Sequence, residues 1–149
     1  MTNNDILRSI RYILNVNETK ILEIIALADF KVSKDDLTAF LKQEDEAGYK
    51  NCGDKVLANF LNGLVIYKRG KNESTPPQPI ELSLTNNIIL KKLRVAFALK
   101  DSDIISLIEK SGLKVSKTEL SAFFRKQDHR NYRDCGNQFL RNLLRGMAL

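Results

Sequence analysis

Apolar residues in this chain fall on one face at helical spacing, and the series runs through twice. Ile6, Leu7, Ile10, Ile13 and Leu14 form one stripe and predict a helix over roughly 4–15. Ile21, Leu22, Ile24 and Ile25 predict a second helix over 18–28, and Leu37, Phe40 and Leu41 a third. Val56, Leu57, Phe60, Leu61 and Leu64 predict a fourth over 54–68. The stripes then return, with Ile89, Leu90, Leu93, Ala96 and Phe97 over 87–98 and a helix over 102–111. Leu120, Phe123 and Phe124 follow, and then Phe139, Leu140, Leu143, Leu144 and Met147. Nothing sustains the alternation of a half-buried strand, since Phe30-Lys31-Val32 is too short, so the fold class is all-α.

The recurrence is an internal duplication. Residues 2–66 align with 85–149 at a constant offset of 83 and without a gap, with about 23 of 65 positions identical. Thr2-Asn3-Asn4 returns as Thr85-Asn86-Asn87, and Tyr49-x-x-Cys52-Gly53 as Tyr132-x-x-Cys135-Gly136. The expected organisation is two homologous four-helix modules, over 1–69 and 84–149. A linker over 70–83 carries all three prolines, Pro76, Pro77 and Pro79. Modules this small bury marginal cores alone, so the expected arrangement is pseudo-twofold packing of one on the other.

Several positions carry specific signals. Thr2, Asn3 or Asn4 can cap the first helix and Asn17 the second. Gly112 and Asp29 stand where a helix ends in a left-handed residue. Ser33 and Ser116 each precede an acid by three positions, Asp36 and Glu119, which predicts a reciprocal capping box in both modules. Gly63 and Gly146 lie within helices, where glycine costs about 1 kcal/mol against alanine, so another helix should cross closely at each.

Charge separates the copies. The net +6 arises wholly in the second half: residues 1–75 hold 11 basic and 11 acidic side chains, and residues 76–149 hold 13 and 7. A basic surface on one of two like scaffolds implies different partners for the two. No stretch is long and apolar enough to span a bilayer, the start of the chain lacks a secretory pattern, and two cysteines fit a reducing compartment. A cytoplasmic protein without a membrane partner is expected.

Catalytic signatures are sparse. His129 is the only histidine and lies in a polar connection, where an exposed loop residue accounts for it, with a lone base as the alternative. Cys52 and Cys135 precede helices, where a thiol is either activated or packed as a small buried residue. No phosphate loop, nucleophile elbow or metal-ligand spacing occurs, so no catalytic residue, metal or cofactor is assigned and a non-enzymatic role is expected. A thiol-dependent enzyme is the remote alternative. The shared polar pairs Arg11 and Arg94, Asp45 and Asp128, and Asn59 and Asn142 read as structural. Each arginine should meet an acid or carbonyl of its own module.

The leading functional candidate is a nucleic-acid surface made by Arg125, Lys126, Arg130, Tyr132, Arg133, Arg141 and Arg145, cations to follow phosphates and a ring to stack a base. The first module has Gln43-Glu44-Asp45-Glu46 where the second has Lys126-Gln127-Asp128-His129, so contact should be one-sided. The alternative is a protein-interaction module that binds an acidic protein or a second copy of itself. A helix-turn-helix with Gly112 as its turn fits poorly, because its inward positions fall on Thr118 and Ser121 instead of Leu120, Phe123 and Phe124.

The Thr-Asn-Asn-Asp-Ile-Leu opening and Phe60-Leu61-Asn62-Gly63-Leu64 resemble the YehS-like family of bacterial proteins of unknown function. So do 86–94, Glu119-Leu120-Ser121-Ala122-Phe123-Phe124-Arg125-Lys126 and Gln138-Phe139-Leu140-Arg141-Asn142. The resemblance covers nearly the whole chain. It implies a bacterial cytoplasmic protein and brings no activity, cofactor or site residue with it.

Overall fold

The computed structural model describes residues 1–71 and 83–149 and contains, among them, eight helices and no strand. They are α1 (Asn3–Leu14), α2 (Glu18–Ala26), α3 (Lys34–Leu41), α4 (Asp54–Arg69), α5 (Asn86–Ala96), α6 (Asp101–Lys110), α7 (Lys117–Phe123) and α8 (Asn137–Ala148). The chain is all-α, four helices to a module, and divides into compact units at Met1–Leu84 and Thr85–Leu149. The proline-bearing part of the expected linker lies outside the described residues. No helix among the described residues is long and apolar enough to cross a membrane.

Each module is built round one helix pair. In the first, α2 packs most extensively on α4, and α1 and α3 close the remaining sides; in the second, α6 packs on α8, with α5 and α7 beside them. The interiors are the predicted stripes. Leu7, Ile10, Ile21, Ile24, Ile25, Leu37, Leu57, Phe60, Leu61 and Leu64 are wholly buried, as are Leu90, Leu93, Ile104, Ile108, Leu120, Leu140 and Leu143. Other stripe residues, Ile13, Leu14, Leu22, Val56, Phe97, Phe123, Phe124 and Met147, are only half-buried.

Helix ends follow local chemistry. Thr2 caps α1, leaving Asn3 and Asn4 for other bonds, and Asn17 caps α2. Asp29 and Gly112 take left-handed φ of 57° and 90° beyond the ends of α2 and α6. Of the two boxes expected at the third helices, only that of α7 forms fully, where Ser116 Oγ accepts from Glu119 N and Ser116 N donates to Glu119. In the first module Ser33 caps Asp36 N, but the Asp36 carboxylate turns away to Lys50 Nζ at 2.9 Å. The shorter aspartate has a full cation in reach, and the charged pair wins over a second backbone bond.

Gly63 and Gly146 mark the closest approach of each pair. A Cβ on Gly63 would stand 2.0 Å from the Ile24 carbonyl oxygen, and one on Gly146 would stand 2.2 Å from that of Leu107. A bare Cα there lets α4 settle against the α2 backbone and α8 against that of α6. Backbone cannot swing aside as a side chain can, so an added methyl forces the helices apart. Gly63→Ala and Gly146→Ala are therefore expected to destabilise by about 2–4 kcal/mol in urea unfolding, at or above the usual range for overpacking. Gly53→Ala and Gly136→Ala, whose Cβ would meet nothing within 4 Å, should lose only the N-cap preference for glycine over alanine, about 1 kcal/mol or less.

Candidate nucleic-acid interface

The connection between α7 and α8, residues 124–136, carries most of the candidate residues, and an asparagine of α5 holds its ends. Asn87 Nδ2 donates to the Phe123 carbonyl at 3.0 Å and to the Arg133 carbonyl at 2.8 Å, while its Oδ1 accepts from Cys135 N at 2.9 Å. Asn4 does the same in the first module, donating to Phe40 O and Lys50 O at 2.9 and 2.8 Å and accepting from Cys52 N at 3.0 Å. The neighbouring asparagines add a second tie. Asn3 reaches Cys52 O and Asp54, and Asn86 reaches Cys135 O and Asn137. Asn4 and Asn87 are buried, and both amide donors and the oxygen of each are used. From its neighbours alone, Asn4 reads as a possible cap and Asn87 carries no role. The surviving signal was their identity in both copies, at a helix start that needs one cap and has Thr2 or Thr85 to supply it.

Inside this frame, Arg125, Arg130, Tyr132 and Arg133 line one open groove of about 470 Å³ together with Thr118, Ser121 and Glu119. A smaller groove of about 180 Å³ adjoins it, with Arg125 and Tyr132 as shared wall and Ile88, Lys91, Phe123, Phe124 and Lys126 around the rest. Tyr132 is half-buried, and the other five candidate cations are exposed with Arg125. Partial burial, then a hydrogen bond to Asp134 and the charge of that carboxylate, push the Tyr132 hydroxyl above its ordinary range. Arg141 and Arg145 line neither groove; they occupy the exposed stripe of α8, one turn apart. The candidate set is thus gathered in part.

In the first module the corresponding cations have partners of their own. Lys50 pairs with Asp36, and Lys42 Nζ donates to the Ala47 carbonyl at 2.7 Å. Arg8 pairs with Asp5 and donates to the Lys42 carbonyl at 2.8 Å. In the second module, Ile88 and Lys91 stand in place of Asp5 and Arg8, and Arg125 and Arg133 in place of Lys42 and Lys50. Among the described residues no carboxylate forms an ion pair with Arg125, Lys126, Arg130 or Arg133. Arg125 approaches only the imidazole of His129, at 3.5 Å, and His129 Nδ1 accepts from Asn131 N.

The family model described as "Protein of unknown function (DUF1456)" matches residues 3–70 and again 86–149. The chain belongs to this family. Its two matches coincide with the two helical modules. The chain is also 47% identical over 148 residues to "Uncharacterized protein YehS" of Escherichia coli (strain K12), a span of 99% of this chain and 95% of that protein. No solved structure matches.

Arg11, Arg94, Asn59 and Asn142 of this DUF1456 chain each meet a partner within their own module. Arg11 Nε donates to the Val16 carbonyl at 3.2 Å. Arg94 lies 3.4 Å from Asp101 and stacks its guanidinium 4.5 Å over the Phe124 ring. Asn59 and Asn142 each bond the carbonyl one turn back, of Lys55 and Gln138. Asp45 and Asp128 are exposed. Six residues separate α6 from α7 and α7 has only seven, which departs from the short turn and longer recognition helix of a helix-turn-helix. Among the described residues no cluster is arranged to hold a metal ion.

Cys52 and Cys135 are free and buried. Burial, joined at Cys52 by the nearby Asp54 charge, pushes both thiols up to about 12 from an ordinary 9.0. A thiol held protonated there is a poor nucleophile. Above pH 9 the unfolded chain sheds thiol protons that the folded chain retains, so stability should fall as pH rises from 9 toward 12. Reaction with an aromatic disulfide reagent at pH 8 should be slow until urea opens the fold; fast labelling of the native protein would contradict this burial.

The asparagine tie makes a second prediction. Asn87→Ala should cost about 2–4 kcal/mol, because it strands buried backbone groups. Asn87→Asp, nearly isosteric, should cost at least as much, since a carboxylate cannot donate to the Phe123 and Arg133 carbonyls. Hydrogen exchange at Cys135 N should accelerate in Asn87→Ala, which removes its acceptor, while Cys52 N in the first module stays protected.

Proposed function

We propose that this protein binds nucleic acid, through the basic face of its second module. The observation that supports the reading is the contrast at equivalent positions: cations satisfied by Asp36, Asp5 and a backbone carbonyl in the first module, and arginines without carboxylate partners around a groove in the second. Guanidinium groups exposed together repel one another, and a polyanion relieves that repulsion while releasing its own counterions. Affinity of this kind is sequence-tolerant and strongly dependent on salt. A nucleic-acid ligand and two free thiols both suit a cytoplasmic location.

A second reading, self-association, draws on the exposed Glu44-Asp45-Glu46 turn, which is acidic at the position where the second module is basic. It predicts concentration-dependent association at low salt in sedimentation velocity, without any polyanion present.

Anisotropy titrations of a labelled 20-nucleotide strand should give an apparent affinity that falls steeply with added salt. Replacing Arg125, Arg130 and Arg133 together by alanine should weaken binding at low salt and flatten the log–log salt slope by about 3. Replacing Lys42 and Lys50 of the first module should leave the slope unchanged. Binding no tighter than that of a neutral protein at low salt would end the nucleic-acid reading.

A further inference from the structure

The two adjoining grooves of the second module differ in chemistry in a way that a uniform polyanion site would not require. The larger is polar, with Arg125, Arg130 and Arg133 outnumbering the one lining carboxylate, Glu119, beside the Thr118 and Ser121 hydroxyls. The smaller has an apolar wall of Ile88, Phe123 and Phe124. Tyr132 and Arg125 belong to both and divide them. The rings have partners of their own: Phe123 meets Phe139 with centroids 4.9 Å apart, and the Arg94 guanidinium lies 4.5 Å from the Phe124 centroid. Asn87, at the edge of the smaller groove, has its amide fully engaged with the backbone, so it adds shape there and no free donor.

We infer that this pair of grooves is a single-strand site, in which a phosphate lies among Arg125, Arg130 and Arg133 while the adjoining base enters the apolar groove beside Tyr132. The inference rests on the nucleic-acid reading above and narrows its ligand. Three observations favour a strand over a duplex. The candidate surface is concave, whereas a duplex is read by a helix or ribbon that projects into its groove. Helices α5 and α7 supply only walls of the grooves, and the arginines stand on the connection that follows α7. The smaller groove, at about 180 Å³, matches one flat ring better than a base pair, and the base of a single strand is unpaired and free to leave its neighbours. The first module lacks this device: Asp5 replaces Ile88, and Arg8, paired with Asp5, spans to the Lys42 carbonyl.

The test uses the full chain and three fluorescein-labelled probes, a 12-nucleotide dT strand, a 12-nucleotide U strand and a 12-base-pair DNA duplex, titrated at equal salt. The strands should bind at least about ten-fold more tightly than the duplex. Tyr132→Ala should lose about ten-fold on the strands, within the range for one stacked base, and Tyr132→Phe should retain most of the affinity. The double substitution Ile88→Asp with Lys91→Arg copies the first module's bridge into the second and removes no arginine of the larger groove. It should abolish the preference for single strands even if Tyr132→Ala proves unstable. Equal salt-dependent binding of strand and duplex, or a double variant that keeps the preference, would overturn this inference and leave the broader reading standing. No salt-dependent binding of any probe would overturn both.

Discussion

One buried asparagine side chain per module carries much of the architecture. Asn4 and Asn87 each stand at the start of a helix, yet they bond three backbone groups 36 to 48 residues ahead. An amide has two donors and an acceptor in fixed planar geometry, which allows one side chain to set the end of the third helix and the entry to the fourth together. Without it those backbone groups would be buried and unpaired, and each would cost about 1–3 kcal/mol. The close glycine crossings depend on the same frame. The fourth helix can meet the second at backbone distance only if its N-terminus is delivered to the right place, and the asparagine tie to Cys52 or Cys135 delivers it.

Legibility in the sequence followed the range of each interaction. Stripes, caps and left-handed stops are local, so Asn17, Ser116 and Gly112 were readable from their neighbours alone. The glycine crossings were readable as well, because glycine inside a helix is costly enough to require a reason, and recurrence in both copies supplied one. The ties of Asn3, Asn4, Asn86 and Asn87 were not readable, since a cap needs an asparagine just as a long-range bond does. Asp36 shows the opposite failure. Its spacing from Ser33 matched a capping box, but Lys50, distant in sequence, offered a stronger partner. The candidate site was legible in composition only. The run of arginines was visible, whereas the split between Arg125, Arg130 and Arg133 at a groove and Arg141 and Arg145 on a helix face depends on how the connection folds back.

The two modules of the chain differ chiefly in surface chemistry. Helix order, buried stripes, asparagine ties and glycine crossings recur, so the differences concentrate where side chains meet solvent. Asp5 to Ile88 and Arg8 to Lys91 remove an ion pair, and Glu46 to His129 removes an acid. None of these changes touches the wholly buried core. Two small helical scaffolds of the same design thereby acquire opposite faces at a modest cost in stability, because exposed ion pairs contribute little.

Asn4 and Asn87 grip only main-chain atoms: carbonyls of Phe40, Lys50, Phe123 and Arg133, and the amides of Cys52 and Cys135. Such a socket is indifferent to which side chains the captured segment displays. The connection behaves as an interchangeable cassette, and its outward residues can be rewritten from acidic to basic, or toward another ligand altogether, without renegotiating the helices beneath. Engineers seeking a compact carrier for short displayed peptides would find here a mounting that natural duplication has already loaded with two unlike contents.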